Sequence, residues 1–291
     1  MGAYVPTMLE SPATQDGYEV TPEELGAWNT EGYLIVRGLF APPEVEEILR
    51  SFDALGAAGQ PIPRSWEPDL SPEAAGDPLK RYPRVMMPHR YDELAKRRLL
   101  DPRVRGVLSV LLGEEPIAVQ SMYYFKPPGA RGQAMHQDNL YLQVKPRTCV
   151  AAWTAIDLAT PENGGLYVVP GTHHMQIVCP EKADEGESFT KHFVRAPAGL
   201  KAVPAVLDPG DTLFFNGSLI HGSGPNRSKT LWRRSFICHY MPKDSVNIAK
   251  FYFPLLDFEG NEVQRDPSEG GGPCGENFDA QKFSSYGSKW H

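Results

Sequence analysis

The spacing of apolar positions changes character near residue 115. Before it, apolar residues recur at helical intervals. Thr21-Pro22-Glu23-Glu24 has the form of a helix start, with Thr at the N-cap, Pro in the first turn and acids beside it, and Gly32 marks the end. Tyr33-Leu34-Ile35-Val36-Arg37 predicts a short strand. Pro42-Pro43-Glu44 opens a second helix in which Val45, Ile48, Leu49 and Phe52 share one face. A third helix begins at Asp101-Pro102, carries the stripe Val104, Val107, Leu108, Leu111 and Leu112, and ends at Gly113. Residues 57–82 between them are rich in Gly, Pro and charge and predict a long loop.

After 115 the runs are short and apolar or alternating: 117–125, 149–157, 166–169, 202–206, 212–216 and 233–240. Turn signals separate them, including Pro127-Pro128-Gly129, Asn163-Gly164-Gly165, Pro170-Gly171 and Asp208-Pro209-Gly210. Many short strands at this spacing predict a sandwich or barrel. The expected fold is mainly β with an α cap: an irregular arm over 1–20, one domain over 21–256, and a C-terminal coil over 257–291 packed on the body. There is no internal repeat and no low-complexity linker.

Composition narrows the function classes. A chain of 291 residues is long enough to bury a large core without disulfides. The net charge of −7 lacks the basic face that a general nucleic-acid binder needs. No apolar run approaches the roughly 20 residues of a membrane span. The first residues show no basic region followed by an apolar one, so no secretory signal is expected. None of Cys149, Cys179, Cys238 and Cys274 forms a CxxC pair, and two lie in apolar, strand-like runs that suit reduced core thiols. The expectation is a cytoplasmic protein, monomer or homodimer, acting on a small molecule.

Candidate chemistry begins at Met135-His136-Gln137-Asp138. A His and an Asp two apart on an extended segment project to the same side. A second histidine, His221, stands at the end of a β run and before the turn Gly222-Ser223-Gly224. Two imidazoles and one carboxylate on one face of a metal leave positions open, the donor set suited to non-haem Fe(II) and O2. Further on, Arg233-Arg234 lie on a predicted strand, where a guanidinium can clamp a carboxylate with two parallel hydrogen bonds.

These blocks together resemble the phytanoyl-CoA dioxygenase family of Fe(II)/2-oxoglutarate-dependent oxygenases. The resemblance runs over about 20–245. It rests on Glu31-Gly32-Tyr33-Leu34-Ile35-Val36, Phe125-Lys126-Pro127-Pro128-Gly129 and His136-Gln137-Asp138. It continues through Ala152-Trp153-Thr154-Ala155-Ile156-Asp157, Asn163-Gly164-Gly165-Leu166 and Pro170-Gly171-Thr172-His173. It closes with Gly210-Asp211-Thr212-Leu213-Phe214-Phe215 and His221-Gly222-Ser223-Gly224-Pro225-Asn226. It implies a double-stranded β-helix, a cupin-like jelly roll with the N-terminal helices packed on one sheet. His136, Asp138 and His221 would bind Fe(II). Arg233 matches the residue that binds the distal carboxylate of 2-oxoglutarate, with Arg234 as the alternative. Ser223 and Trp153 match positions that help hold the cosubstrate, and Gln120 lies where relatives offer it or the substrate a polar group. Halogenating relatives replace the carboxylate at the Asp138 position, so hydroxylation of a C–H bond with release of succinate and CO2 is the expected reaction, O2 being the oxidant.

Other residues carry weaker claims. His89 follows the long loop and can face a pocket; His173 and His174 diverge on a turn; His239 shares a strand with Arg233 and suits a supporting role. Tyr123, Tyr124, Tyr141 and Asn139 flank the metal motif. Loop 57–92 and segment 177–200 are expected at the rim. Arg81, Arg84, Arg90 and Lys126 are the cations available for an anionic substrate. Two rivals stand beside the main reading: a cupin-like metal enzyme that does not use 2-oxoglutarate, and a catalytically silent metal-binding sensor or scaffold.

Overall fold

The structure is a computed structural model that describes residues 18–268. The expected N-terminal arm and C-terminal coil fall mostly on residues 1–17 and 269–291, which lie outside it. The helices are α1 (Pro22–Glu31), α2 (Pro42–Ala58), α3 (Pro78–Arg81), α4 (Glu93–Leu99), α5 (Pro102–Leu112) and α6 (Asn139–Leu142). The strands of the first half are β1 (Tyr33–Val36), β2 (Val85–Met86), β3 (Pro116–Tyr124), β4 (Gln133–His136), β5 (Val150–Ala155) and β6 (Leu166–Val168). Then follow β7 (Glu181–Lys182), β8 (His192–Phe193), β9 (Val203–Ala205), β10 (Thr212–Asn216) and β11 (His221–Ser223). The last are β12 (Ser235–Pro242), β13 (Asn247–Ile248), β14 (Leu255–Leu256), β15 (Glu262–Val263) and β16 (Asp266–Pro267).

A large sheet runs β1-β10-β5-β12-β3-β14-β15, with β2 added to β3, and a smaller one runs β4-β11-β6-β9. Every pairing in the two is antiparallel. This is the jelly roll expected. Central strands β5 and β12 are buried along their whole length, because both faces of the large sheet are covered. Their side chains divide by the two-residue period. Tyr123, Ala152, Phe214, Phe236, Cys238 and Tyr240 join the core under the helices. Met122, Ala151, Trp153, Leu213, Phe215 and Ile237 face the smaller sheet.

The helices form for local reasons and stay for tertiary ones. Thr21 Oγ1 accepts from the Glu24 amide at 3.2 Å while the Glu24 carboxylate accepts from the Thr21 amide at 2.9 Å, a reciprocal cap, and Gly32 ends α1 at φ 84°. In α5 all five residues of the predicted stripe are buried. The α2 stripe buries Val45, Ile48 and Phe52, and the Phe52 ring stacks on Tyr123 of the sheet, centroids 4.0 Å apart and planes 7° from parallel.

Three local expectations need correction. Segment 57–82 is not one open loop: it holds α3 and a one-turn helix at Pro72–Ala74, and it buries Trp66. Residues 257–268 are not plain coil, since β15 and β16 pair with β14 and β13. Such two-residue strands carry too few residues to show a period. Asp138 does not lie on an extended segment; its backbone is helical, φ −61° and ψ −35°, where the chain turns into α6. Cys149 and Cys238 are free and buried, as their apolar settings predicted. No helix among the described residues is long and apolar enough to cross a membrane.

Removing the stacked ring under the sheet should be costly. Phe52→Ala is expected to lower unfolding free energy by about 3–5 kcal/mol, the usual range for a buried aromatic, measured by urea denaturation. A loss under 1 kcal/mol would show that the helical layer does not depend on this contact.

Candidate active site

The smaller sheet brings the key residues together through its register. His136 ends β4, His221 begins β11, and the two are direct cross-strand partners. Their ring centroids are 4.3 Å apart. Asp138 arrives from the turn after β4. One carboxylate oxygen lies 3.3 Å from His136 Nε2 and the other 3.6 Å from His221 Nε2. All three are buried, and one ligand atom from each falls within 4.8 Å of the others, the only such group among the described residues.

Each imidazole is oriented by backbone. His136 Nδ1 lies 2.8 Å from the carbonyl of Ala134, and His221 Nδ1 lies 3.0 Å from that of Leu219, two residues back in each case. A carbonyl can only accept, so each Nδ1 carries the proton and each Nε2 presents a lone pair to the centre. The Gln133 amide, 2.9 Å from His136 Nε2, donates to that lone pair. Burial pushes the His221 imidazole down to about 4 despite the pull of Asp138. Burial also opposes ionisation of Asp138. The imidazoles of His221 and His239, with the hydrogen bond from His239, outweigh it and hold the carboxyl well below its usual range. His239 Nε2 is 3.0 Å from Asp138 Oδ2 and fixes the carboxylate plane from the opposite sheet. Two imidazoles and an ionised carboxylate, aimed at one point, fit a divalent cation such as Fe(II).

The cavity lies between the sheets. Gln120, Met122, Trp153, Phe215, Ile237 and His239 line it from the large sheet, and Gln133, His136, Leu166, His221 and Ser223 from the small one. Gln120, Trp153, Ser223 and Arg233, all expected near a cosubstrate, share this cavity. Arg233 is buried, with Cζ 5.3 Å from the Trp153 ring centroid, and burial lowers its pKa to about 10. Arg234 points the other way. It donates to Asp157 at 2.8 Å and to Asp53 of α2 at 2.8 Å. The pair, expected on a strand, lies just ahead of β12, and of the two only Arg233 lines the cavity.

Several candidates lie elsewhere. His89 is buried with Nδ1 on Ser121 Oγ at 2.7 Å and does not line the cavity. His173 packs over Gly32, and its Nε2 meets the Asn29 carbonyl at 3.2 Å. Asn139 closes its own turn through Val144. Tyr123 belongs to the helix-backed core, whereas Tyr124 and Tyr141 face the cavity. Of the four cations named for an anionic substrate, Arg84 and Lys126 approach this region. Arg81 lies against Tyr82, and Arg90 donates to Phe253 at 2.8 Å. Both rim segments reach the mouth, loop 57–92 through Arg84 and Met86 and segment 177–200 through Phe189 and Thr190. Sequence reasoning missed Gln133, Phe251 and Tyr252. Gln133 sits three before His136 on a strand too short to show alternation; Phe251 and Tyr252 arrive from a one-turn helix with no motif.

Comparison with known proteins places this geometry. The family model described as Phytanoyl-CoA dioxygenase (PhyH) matches residues 28–235. Phytanoyl-CoA dioxygenase 1 of Oryza sativa subsp. japonica is 33% identical over 141 residues, 48% of this chain and 50% of that protein. The chain therefore aligns with about half the length of that relative. Phytanoyl-CoA dioxygenase domain-containing protein 1 of Danio rerio is 24% identical over 280 residues, 78% of this chain and 92% of that protein. Among solved structures, the epimerase SnoN in complex with Fe3+, alpha ketoglutarate and nogalamycin RO superposes with a TM-score of 0.61 at 21% identity. That match covers 77% of this chain and 84% of SnoN, and shares the fold.

Two of the buried imidazoles, His89 and His221, make acid destabilising in the metal-free protein. Burial holds His89 near 3 and His221 near 4, against 6.5 when unfolded. As pH falls below 6.5 the unfolded chain takes up protons that the folded one refuses, so stability is lost downward through that window. His89→Gln keeps a partner for Ser121 and removes one titration. It should flatten the slope by up to about 1.4 kcal/mol per pH unit between pH 6 and 4. Urea unfolding of both proteins across that range, without metal, measures it; parallel slopes would contradict a neutral, buried His89.

Proposed function

The chain belongs to the phytanoyl-CoA dioxygenase family of 2-oxoglutarate-dependent oxygenases, and from that premise we propose that it oxidises a small organic molecule, inserting one oxygen atom into a C–H bond. His136, Asp138 and His221 hold Fe(II), and Arg233 binds the distal carboxylate of 2-oxoglutarate. The single observation that carries this reading is the shared cavity. The converging His-Asp-His group and one buried, carboxylate-free arginine open into the same space between the sheets.

Bound iron with 2-oxoglutarate and O2 supplies the oxidising power, and the balance is one substrate hydroxyl, one succinate and one CO2 per O2. The chain supplies placement and dryness. The Ala134 and Leu219 carbonyls keep both Nε2 lone pairs turned inward. His239 holds Asp138 from behind. Arg233 offers its guanidinium edge to the cosubstrate while its face lies on Trp153, and Ser223 and Gln120 offer polar atoms beside it. Met122, Leu166, Phe215 and Ile237 exclude water around them. That leaves the mouth, bordered by Met86, Tyr141, Phe189 and Tyr252, for the substrate. Its apolar and aromatic lining favours a substrate with a hydrophobic body.

An intact Asp138 supports oxygen insertion over halogenation, since the carboxylate fills the position a halide would need. SnoN, which shares the fold, is an epimerase, so the gain of one oxygen must be measured rather than taken from the fold.

Four variants test the assignment. With Fe(II), 2-oxoglutarate and O2, the protein is expected to release succinate, more so with a substrate found by metabolite screening, whose product gains one oxygen by mass spectrometry. Asp138→Ala and His221→Ala should abolish turnover and weaken metal binding by at least about 100-fold, as loss of one of three ligands does. Arg233→Ala should raise the 2-oxoglutarate KM about 10- to 100-fold, the worth of a charge-assisted hydrogen bond, whereas Arg234→Ala should lower thermal stability and leave that KM within threefold. No 2-oxoglutarate binding by the metal-loaded protein would refute the reading.

A further inference from the structure

Among the described residues, Lys126 is the one fully enclosed lysine next to the cavity. It follows β3 in the Phe125-Lys126-Pro127-Pro128-Gly129 block, with 3% of its surface exposed. Its backbone takes the left-handed value φ 33°, which is strained for a side-chain-bearing residue and persists only where surroundings enforce it. Its ammonium nitrogen meets three oxygens: the Gly164 carbonyl at 2.9 Å, Ser223 Oγ at 2.9 Å and the Gly224 carbonyl at 2.5 Å. An ammonium has three hydrogens, and all three are spent. The three acceptors are neutral, and among the described residues neither Lys126 nor Arg233 pairs with a carboxylate. Burial, then the nearby Arg233, hold the Lys126 pKa well below its usual range. Two buried cations side by side without an anion form an incomplete arrangement.

The bonding around Ser223 and Arg233 shows what completes it. Ser223 Oγ accepts from Lys126 and, at 3.3 Å, from the Gln133 amide. Both lone pairs of the hydroxyl are then used, so its own hydrogen must be donated, and Ser223 lines the cavity. The Gly164 carbonyl accepts from Lys126 and also from Arg233 Nε at 3.1 Å. With Nη1 donating one hydrogen to Ser235 Oγ at 2.9 Å, its second hydrogen and both on Nη2 are left for a ligand. The Lys126 carbonyl in turn accepts from the Arg233 amide at 3.2 Å. Gly164 must be glycine for this: at φ 76°, a Cβ there would lie 2.7 Å from Lys126 Nζ.

We propose that Lys126 is a positioning residue for the distal carboxylate of 2-oxoglutarate, turning Ser223 into a hydrogen donor and fixing Arg233 through the Gly164 carbonyl without touching the cosubstrate. It lines the neighbouring smaller cavity and not the main one, behind the two residues it orients. The inference rests on the 2-oxoglutarate reading above and adds the source of its selectivity. A ligand lacking the distal carboxylate gains nothing from this arrangement.

The test is a comparison of two ligands by calorimetry on the Mn(II)-loaded protein, which needs no turnover. 2-Oxoglutarate and 2-oxopentanoate share the metal-chelating end and chain length, and only the former has the distal carboxylate. The unaltered protein should prefer 2-oxoglutarate. Lys126→Met should reduce that preference about 10-fold or more, through weaker 2-oxoglutarate binding, with 2-oxopentanoate unchanged within threefold. Ser223→Ala, which keeps the lysine and removes the oriented hydroxyl, should reduce the same ratio. A Lys126→Met protein that keeps the ratio, or loses affinity for both ligands equally, overturns the proposal. If that variant does not fold, Lys126→Gln is judged by the same ratio. Absence of any preference in the unaltered protein would instead refute 2-oxoglutarate as cosubstrate.

Discussion

The antiparallel register of β4 with β11 is the constraint on which the rest of the site depends. It places His136 directly across from His221, so two imidazoles face one another because two backbones are hydrogen-bonded. Neither side chain has to be steered over a distance. The turn after β4 then needs only to bring one carboxylate back, and helical dihedrals at Asp138 do so. Shifting this register by one residue would send one imidazole to the outer face of the small sheet and dissolve the group.

A second network holds the other end of the cavity, and it is built from glycines and one lysine instead of strand register. Gly164, the Ser223-Gly224 pair and Arg233 come from three separate stretches of the chain, and Lys126 touches or bonds all four residues. The two networks meet at β11, which supplies His221 to one and Ser223 to the other. Three residues of one strand thus set the distance between the metal end and the carboxylate end. The close approach of the strands there also leaves no room for a side chain at Gly222, whose Cβ would lie 2.9 Å from the Gln133 carbonyl.

Much of this was legible in the sequence, for definite reasons. His136, Asp138, His221 and Arg233 stood out because ligand types recur in order on predicted strands, and the Gly-rich blocks marked where backbone must come close. The reason given for Asp138 was nevertheless wrong. An extended His-x-Asp and a turn both bring the two groups together, and spacing alone does not separate them. Arg233 and Arg234 differ by one position, and which one turns inward depends on the register of β12 against β5, a long-range pairing. Gln133, Phe251 and Tyr252 gave no signal, since they reach the cavity from elements too short to have a period. Lys126 was visible only as a member of a motif and as one of four cations for an anionic substrate. Its burial among neutral acceptors is a property of four segments folded together.

The alternation along β3, β5, β10 and β12 has a consequence for how such a chain can change over evolutionary time. Successive residues serve two different interiors, one beneath the helices and one around the cavity. Replacing a single side chain alters one interior and spares the other, so the shape of the cavity can drift while the helix-backed core is preserved. Adding or deleting one residue within these strands would exchange the two interiors wholesale, putting Thr154 where Trp153 belongs and a buried hydroxyl against the cosubstrate. A change of length costs least in the segments around 57–92 and 177–200, which border the mouth. The architecture admits novelty in what the mouth accepts and resists it in the chemistry behind.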